Sequence, residues 1–294
     1  MIAAEATLAA EDDMSIEAIP LTKYIGAEIR GVDLTKPFDE ATRRQVYALW
    51  LEHLVLIFRG QELTQEQFVA STANFGKLAK LIRPAEFRPP GYARLLDNIM
   101  LISNIRENGI PIGALPDGEM WFHHDMLHVD IPHKGTCLYS VEIPAKGGNT
   151  LFANCYRAYE TMPLALRDKL EGKRAFHSYN LGELKRGDGK GVPHLKQSSH
   201  PMFRTHEETH RKAVYFNRLM TERIEGVAAD EGDALLKAAF DHSENPEWVY
   251  EHVWQPHDLI VWDNRCSMHA RTDFPEGERR LMLRTTIEGE ARPQ

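Results

Sequence analysis

The sequence predicts a mostly β fold with peripheral helices: two antiparallel sheets packed face to face as a double-stranded β-helix of the jelly-roll, cupin-like class. Short runs that alternate polar and apolar residues, or are apolar throughout, recur along the chain between turns bearing Gly and Pro. Helical periodicity is confined to a few amphipathic stretches. No internal repeat and no linker divides the chain, so residues 15–294 read as one domain behind a disordered leader at 1–14.

Taken in order, MIAAEATLAAEDD at 1–13 is rich in Ala and acids without a hydrophobic period, and Met14 is an alternative start. SIEAIPLTKYIGAEIRGVDL alternates around Gly26 and Gly31, as short strands joined by a tight turn would. Residues 40–53 place Val46, Leu49, Trp50 and His53 on one helical face and feed LVLIF at 54–58. That run is apolar on every side and is expected to be buried on both faces. Thr64-Gln65-Glu66-Gln67 has the capping-box form, and the helix it opens is expected to end at Gly76 in a left-handed cap. From 77 to 120 Pro and Gly are frequent and helical period is absent, which predicts a long connection folded over something. TCLYSVEI at 136–143 reads as a strand, GGN at 147–149 as a turn, 161–171 as a helix ended by Gly172, and GELKRGDGKG at 182–191 as a mobile loop. Strands at 201–205 and 212–217 follow, then a helix at 228–242 with Leu235, Leu236, Ala239 and Phe240 as its buried stripe. Strands at 248–254, 258–263 and 280–288 complete the chain.

A hydrophobic content of 43% in 294 residues supports a substantial core. The formal charge of −8 argues against nucleic acid, which requires a concentrated basic surface, and favours small-molecule partners. No run of about 18 apolar residues predicts a membrane span. The start lacks the basic segment of a signal peptide, so a cytoplasmic protein is expected. Cys137, Cys155 and Cys266 are odd in number and far apart, which predicts buried thiols rather than disulfides or a cysteine-rich zinc site.

The stretch WFHHDMLHVD, residues 121–130, carries the metal chemistry and has two readings. On a helix, His124 and His128 share a face and imitate a zinc-protease pattern with Asp for Glu. On a strand, His123 and Asp125 point the same way, as two thirds of the two-histidine, one-carboxylate face of non-haem iron oxygenases. A His-x-Asp pair alone is weak, since about one is expected by chance in a chain of this composition. This chain holds two, at 123–125 and 128–130.

An ordered set of motifs adds to these. YIGAEIRGVDLTKP at 24–37, VLIFRGQELT at 55–64, FGKL at 75–78, HHD at 123–125, GGNTLFAN at 147–154, FRTH at 203–206, and WDNR at 262–265 with His269 follow one another. Together they resemble the taurine dioxygenase and 2,4-dichlorophenoxyacetate dioxygenase (TauD/TfdA) family of Fe(II)/2-oxoglutarate oxygenases. The resemblance selects His123 and Asp125, because the spacing from Asp125 to Thr150 is the family's and that from Asp130 is not.

It implies an iron held by His123, Asp125 and His269, with 2-oxoglutarate as cosubstrate and O2 as oxidant. Two neutral imidazoles and one carboxylate would leave three positions for a chelating cosubstrate and oxygen. His269 is expected on a strand distant from His123, so that the metal would clamp the two sheets together. By the same resemblance Arg280 and Thr150 receive the far carboxylate of 2-oxoglutarate, and Arg284 faces the substrate. On a strand 280, 282 and 284 share a side, while Arg279 points out. The reaction implied is oxidative decarboxylation of 2-oxoglutarate to succinate and carbon dioxide, coupled to attack on a substrate C–H bond. Where that carbon bears an ether, sulfonate or sulfate, the hydroxylated product can release it.

Several positions depart from the best-known members. Phe122 stands for a Trp, His124 for a small residue and His128 for an aromatic, while Arg83 before Pro84 occupies the place of a sulfonate-gripping His. These changes disfavour taurine itself but favour a small anionic substrate held by Arg284 and Arg83, with His128 adding a donor. Family members associate as homodimers or tetramers, and a homo-oligomer is expected. The alternatives are a zinc hydrolase using the same His/Asp face, and a catalytically retired binding protein.

Overall fold

The computed structural model describes residues 15–80, 94–113, 118–179 and 197–294. The leader expected over 1–14, Arg83, and the loop at 182–191 lie outside the described residues.

Two sheets face each other. The larger has seven strands in the order Glu17–Pro20, Ala27–Arg30, Val55–Phe58, Leu259–Asp263, Gly135–Glu142, Leu281–Ile287 and Met100–Ser103. The smaller has four, in the order Val249–His252, Thr150–Asn154, Ser267–Arg271 and Met120–His123. Pairing is antiparallel throughout except between Ala27–Arg30 and Val55–Phe58. This is the double-stranded β-helix that the alternating runs predict.

The period of two along the central strands divides the apolar residues between two cores. Leu138, Ile260, Trp262 and Met282 join Phe152 of the smaller sheet in one cluster. Their chain neighbours Cys137, Tyr139, Leu259, Val261 and Leu283 join Val46, Trp50, Phe68 and Phe75 in the other. The larger sheet is therefore buried on both faces, the outer one under the helices Glu40–His53 and Gln65–Thr72. Trp50 anchors that layer, edge-on to Phe75 with ring centroids 5.4 Å apart. Truncating it to Ala would cost about 3–5 kcal/mol, the usual range for an emptied aromatic site.

Local chemistry explains most boundaries. Asp39 accepts the Thr42 N–H at 2.7 Å to start the first helix. The Thr64 capping box forms in both directions. The end of that second helix differs from expectation: a 3-10 turn, Ala73–Phe75, intervenes, and Gly76 sits at φ 145, ψ −175 rather than in the left-handed helical region. A Cβ there would lie 2.7 Å from Ile287 Cγ2, so the glycine is required by packing as well as by its dihedrals.

Three further expectations are corrected. The helix expected at 161–171 starts only at Leu164, after Pro163, and runs to Leu170, and a separate short helix that was not foreseen, Cys155–Glu160, precedes it. The connection at 77–120 contains the strand Met100–Ser103, which completes the larger sheet against Leu281–Ile287. The strand foreseen at 212–217 ends at Val214, in a two-stranded pair with Phe203–Thr205. A three-stranded sheet of Gln197–Pro201, Arg174–Ser178 and Thr221–Ile224 lies beside the barrel. Of the stripe expected on the helix Ala229–Ser243, Leu236, Ala239 and Phe240 are buried and Leu235 is only partly so. All three cysteines are buried free thiols. No helix of the described residues is long and apolar enough to cross a membrane.

Candidate metal centre and cosubstrate pocket

The strand Met120–His123 is the edge of the smaller sheet, and its register places His123 opposite His269 on Ser267–Arg271. The strand stops at His123 and the chain turns, with Met126 at φ 61. The helical reading of 124–128 therefore fails, and His124 and His128 do not share a face. His124 is buried, with Nε2 3.6 Å from Cys155 Sγ and Nδ1 3.3 Å from the Asn217 amide nitrogen. His123, Asp125 and His269 are brought together, one ligand atom from each lying within 4.8 Å of the others.

The three groups are prepared for a divalent cation. Burial lowers the pKa of His123 and, further, that of His269, so both imidazoles are neutral and can offer a lone pair. His123 Nδ1 is 2.8 Å from the Trp121 carbonyl, which places its proton there and leaves Nε2 for a metal. Burial alone would raise the Asp125 pKa. The neighbouring Arg284, His269 and His123, and the Thr136 hydroxyl, outweigh it and hold the carboxyl well below the usual range.

The expected clamp between sheets is not what the structure shows, since both histidines stand on adjacent strands of the smaller sheet. Asp125 makes the connection instead. Its Oδ2 accepts from Thr136 Oγ1 at 2.6 Å and its Oδ1 from Arg284 Nη1 at 3.3 Å, both on strands of the larger sheet. Asn264 donates to Thr136 Oγ1 at 2.9 Å and accepts the Trp262 indole N–H at 3.0 Å. Two members of the WDNR motif thus buttress the carboxylate at second hand. The other two turn away: Asp263 pairs with Arg265 and with His206 Nε2 at 3.1 Å.

A second group of donors lies one side-chain row along the smaller sheet, roughly 6.7 Å by strand geometry. Thr150 is opposite Arg271 there, next to the row in which Phe152 faces His269. Thr150 Oγ1 accepts the Trp254 indole N–H at 3.1 Å. Arg280 is 2% exposed, its backbone N–H is given to Asn104 Oδ1 at 2.9 Å, and its Nε has no partner. Among the described residues no carboxylate pairs with its guanidinium. Burial first, and then the nearby Arg271, pull the Arg280 pKa down to about 9. A buried cation beside another cation is costly until an anion arrives. The unspent donors therefore fit a carboxylate-bearing cosubstrate. The turn at Gly147 and Gly148 makes room, with φ of 75 and 66, and a Cβ on Gly147 would meet the Asp273 carbonyl at 2.4 Å.

On the other side of Asp125, Arg284 is partly buried and its Nε is also without a partner. Tyr179 belongs to the same neighbourhood. Burial pushes its hydroxyl up to about 12, Arg284 opposing. His128 stacks on Tyr179 with centroids 5.3 Å apart and planes 17° apart. Met120 and Tyr179 pack against the cluster that contains Leu127. The alternation foreseen for 280, 282 and 284 is observed, with Met282 in the core between the sheets and Leu281 and Leu283 in the outer one.

Sequence reasoning missed Thr136, Asn264, Trp254, Arg271 and His133. His133 is partly buried with a buried, unpartnered Nδ1, and its pKa is lowered by burial, with Asp125 raising it and Arg284 lowering it. A signal existed for Asn264 and Trp262, which lie in a recognised motif. The others owe their place to contacts between segments distant in the chain.

A double-stranded β-helix that gathers two histidines and one carboxylate beside a buried, unpaired arginine defines a non-haem iron oxygenase of the 2-oxoglutarate-dependent kind. The chain belongs to the Taurine catabolism dioxygenase TauD, TfdA family, whose model matches residues 17–286. It is 31% identical to the Pentalenolactone F synthase of Streptomyces arenae, over 88% of this chain and 90% of that one. It is equally 31% identical to the Alpha-ketoglutarate-dependent 2,4-dichlorophenoxyacetate dioxygenase of Cupriavidus pinatubonensis, over 93% and 98%. The crystal structure of AAD-2 in complex with Mn(II) and N-oxalylglycine superposes with a TM-score of 0.80 at 28% identity, covering 96% of this chain and 99% of that one. The protein is accordingly a 2-oxoglutarate-dependent dioxygenase, an oxidoreductase that uses Fe(II), 2-oxoglutarate and O2.

Proposed function

We propose that the protein hydroxylates a small organic anion, such as an aryloxyalkanoate, sulfonate or sulfate ester, at a C–H bond presented to iron held by His123, Asp125 and His269. Where the attacked carbon bears oxygen or sulfur, the outcome is C–O or C–S cleavage. The observation that carries this reading is Arg284, which gives Nη1 to Asp125 and keeps a buried Nε unspent within electrostatic reach of Tyr179, on which His128 stacks. A planar guanidinium so placed suits a carboxylate or sulfo group.

Iron(II) with 2-oxoglutarate and oxygen supplies the oxidising power, 2-oxoglutarate leaving as succinate and carbon dioxide. The protein's own residues bind and orient. Thr150 and Arg280 hold the distal carboxylate of 2-oxoglutarate, fixing the keto-acid end toward the histidines. Thr136 and Arg284 keep Asp125 ionised and in one rotamer. Arg284 anchors the substrate anion, and the flat faces of His128 and Tyr179, with Met120 behind, position an apolar body and exclude water. These apolar, aromatic neighbours favour an aryl-bearing acid over taurine. The similarity to a 2,4-dichlorophenoxyacetate dioxygenase supports the same choice.

The test is a panel of phenoxyacetates, alkyl sulfates and taurine, scored by succinate formed per product released with iron, 2-oxoglutarate and air. An aryloxyalkanoate turned over in a 1:1 ratio with succinate, at a rate well above taurine, is expected. Succinate formation that no anion stimulates, or activity that persists without oxygen in protein holding zinc, would overturn the assignment.

A further inference from the structure

The expected partners of the distal carboxylate are Thr150 and Arg280, yet a hydroxyl can either donate or accept, and something must set which it does. Trp254 is 6% exposed and has one polar atom, the indole N–H, which can only donate. It donates that proton to Thr150 Oγ1 at 3.1 Å. Thr150 is 3% exposed, and no described residue accepts its hydroxyl proton.

Behind the indole stands a clamped turn. The His252 ring meets Trp254 edge-on, with centroids 4.7 Å apart and planes at 84°. His252 Nε2 is 3.0 Å from Asp258 Oδ2, and its Nδ1 is 3.0 Å from the Tyr250 hydroxyl. The same Asp258 oxygen accepts from Arg59 and from the Gln255 N–H. Ser140, on the larger sheet, donates to the Gln255 carbonyl at 2.7 Å and accepts the Asp258 N–H at 2.9 Å. A buried carboxylate with this many donors is a costly way to hold a turn that apolar packing could hold, unless the position of what the turn carries matters.

We infer that Trp254 is a positioning residue: its indole fixes Thr150 as a hydrogen-bond donor to the distal carboxylate of 2-oxoglutarate. The inference rests on the placement of that carboxylate between Thr150 and Arg280 proposed above. With one lone pair of Oγ1 engaged by the indole, the threonine proton is directed to an acceptor in the pocket, and Arg280 supplies charge to the same acceptor. The pair then discriminates keto acids by their far end.

The test is Trp254→Phe, which keeps the ring and removes the donor, in iron-loaded protein without oxygen. Dissociation constants are measured for 2-oxoglutarate and for 2-oxobutyrate, which has the same keto-acid head and no distal carboxylate. A roughly 10-fold weakening for 2-oxoglutarate is expected, as for one lost hydrogen bond to a charged group, with 2-oxobutyrate unchanged. Adding Trp254→Phe to Thr150→Val should then cost little more than Thr150→Val alone. Equal losses for both keto acids, or fully additive losses in the double variant, would overturn the role. A wild-type protein that binds the two keto acids equally would overturn the placement of the carboxylate, and the inference with it. Should Trp254→Phe fail to fold, Asp258→Asn loosens the turn while leaving the indole intact. Selective loss of 2-oxoglutarate affinity there supports the role, and an unselective loss or none contradicts it.

Discussion

Asp125 and Arg284 lie 3.3 Å apart, carboxylate oxygen to guanidinium nitrogen, the first just past the end of a smaller-sheet strand and the second on a strand of the larger sheet. With Thr136 on the other oxygen, both oxygens of the carboxylate are spoken for before any metal arrives. The same guanidinium is the proposed anchor for the substrate anion, so the metal ligand and the substrate share one cation.

Replacing Arg284 by Met should therefore separate two activities. The KM for the anionic substrate is expected to rise roughly 10- to 150-fold, the loss of a charge-assisted hydrogen bond, while slow substrate-independent decarboxylation of 2-oxoglutarate continues. Steady-state assays of succinate with and without substrate measure both. Unchanged substrate KM would show that the anion binds elsewhere.

Arg280→Met should weaken 2-oxoglutarate binding at least about 100-fold, yet raise the melting temperature of the protein measured without cosubstrate. The variant removes a buried cation that has another cation beside it and no described anion. Wild-type protein should in turn gain more thermal stability from added 2-oxoglutarate than the variant does. Thermal unfolding scans at several 2-oxoglutarate concentrations decide it.

Thr136→Val deletes the short hydrogen bond to Asp125 at nearly constant volume. Iron affinity should fall about 10- to 100-fold, as for other losses behind a metal ligand. Competition with a chelator reads this directly. A second variant, Asn264→Leu, should act in the same direction but more weakly, since Asn264 reaches the Asp125 carboxylate through Thr136 and directly accepts only its backbone N–H, at 3.4 Å.

Acid should destabilise the metal-free protein in a defined window. His123, His124, His133, His177, His252 and His269 all have pKa values lowered by burial, and His200 falls to about 4. The unfolded chain takes up these protons near pH 6.5 while the folded chain still refuses them, so the unfolded state binds more protons and stability drops as pH falls. The slope is up to about 1.4 kcal/mol per pH unit for each histidine. The loss should begin near pH 6.5 and run toward pH 4. Denaturant titrations at half-unit steps of pH would show it, and a flat profile across that range would contradict the neutral-histidine picture.

Where local rules decide an element, the sequence was a good guide. Asp39 and Thr64 mark their helices, and the alternation at 280, 282 and 284 separates inward from outward residues. The candidate triad could be named only through the family resemblance, whose spacing from Asp125 to Thr150 singles out one His-x-Asp pair, and the structure brings those three side chains together. What stayed hidden depends on strand pairing over long separations. Met100–Ser103 is four residues without a distinctive pattern, and only its pairing with Leu281–Ile287 makes it a strand. The same holds for the clamp: two histidines distant in sequence are neighbours in one sheet, a register that residue spacing does not encode. Thr136 and Trp254 are ordinary residues in the chain and acquire roles only from the groups they face.

The doubled histidine has a consequence for how the chain reaches its native state. In a strand, a slip of one residue exchanges the two faces. Such a slip of Met120–His123 would bring His124 to the place of His123, so ligand type alone offers little to reject the wrong pairing. Rejection falls to features beyond the strand: the bend at Met126, the Asn217 and Cys155 partners that only His124 satisfies, and the reach of Asp125 to Thr136. Folding fidelity at the edge of the smaller sheet is thus secured by the back of the site as much as by its front.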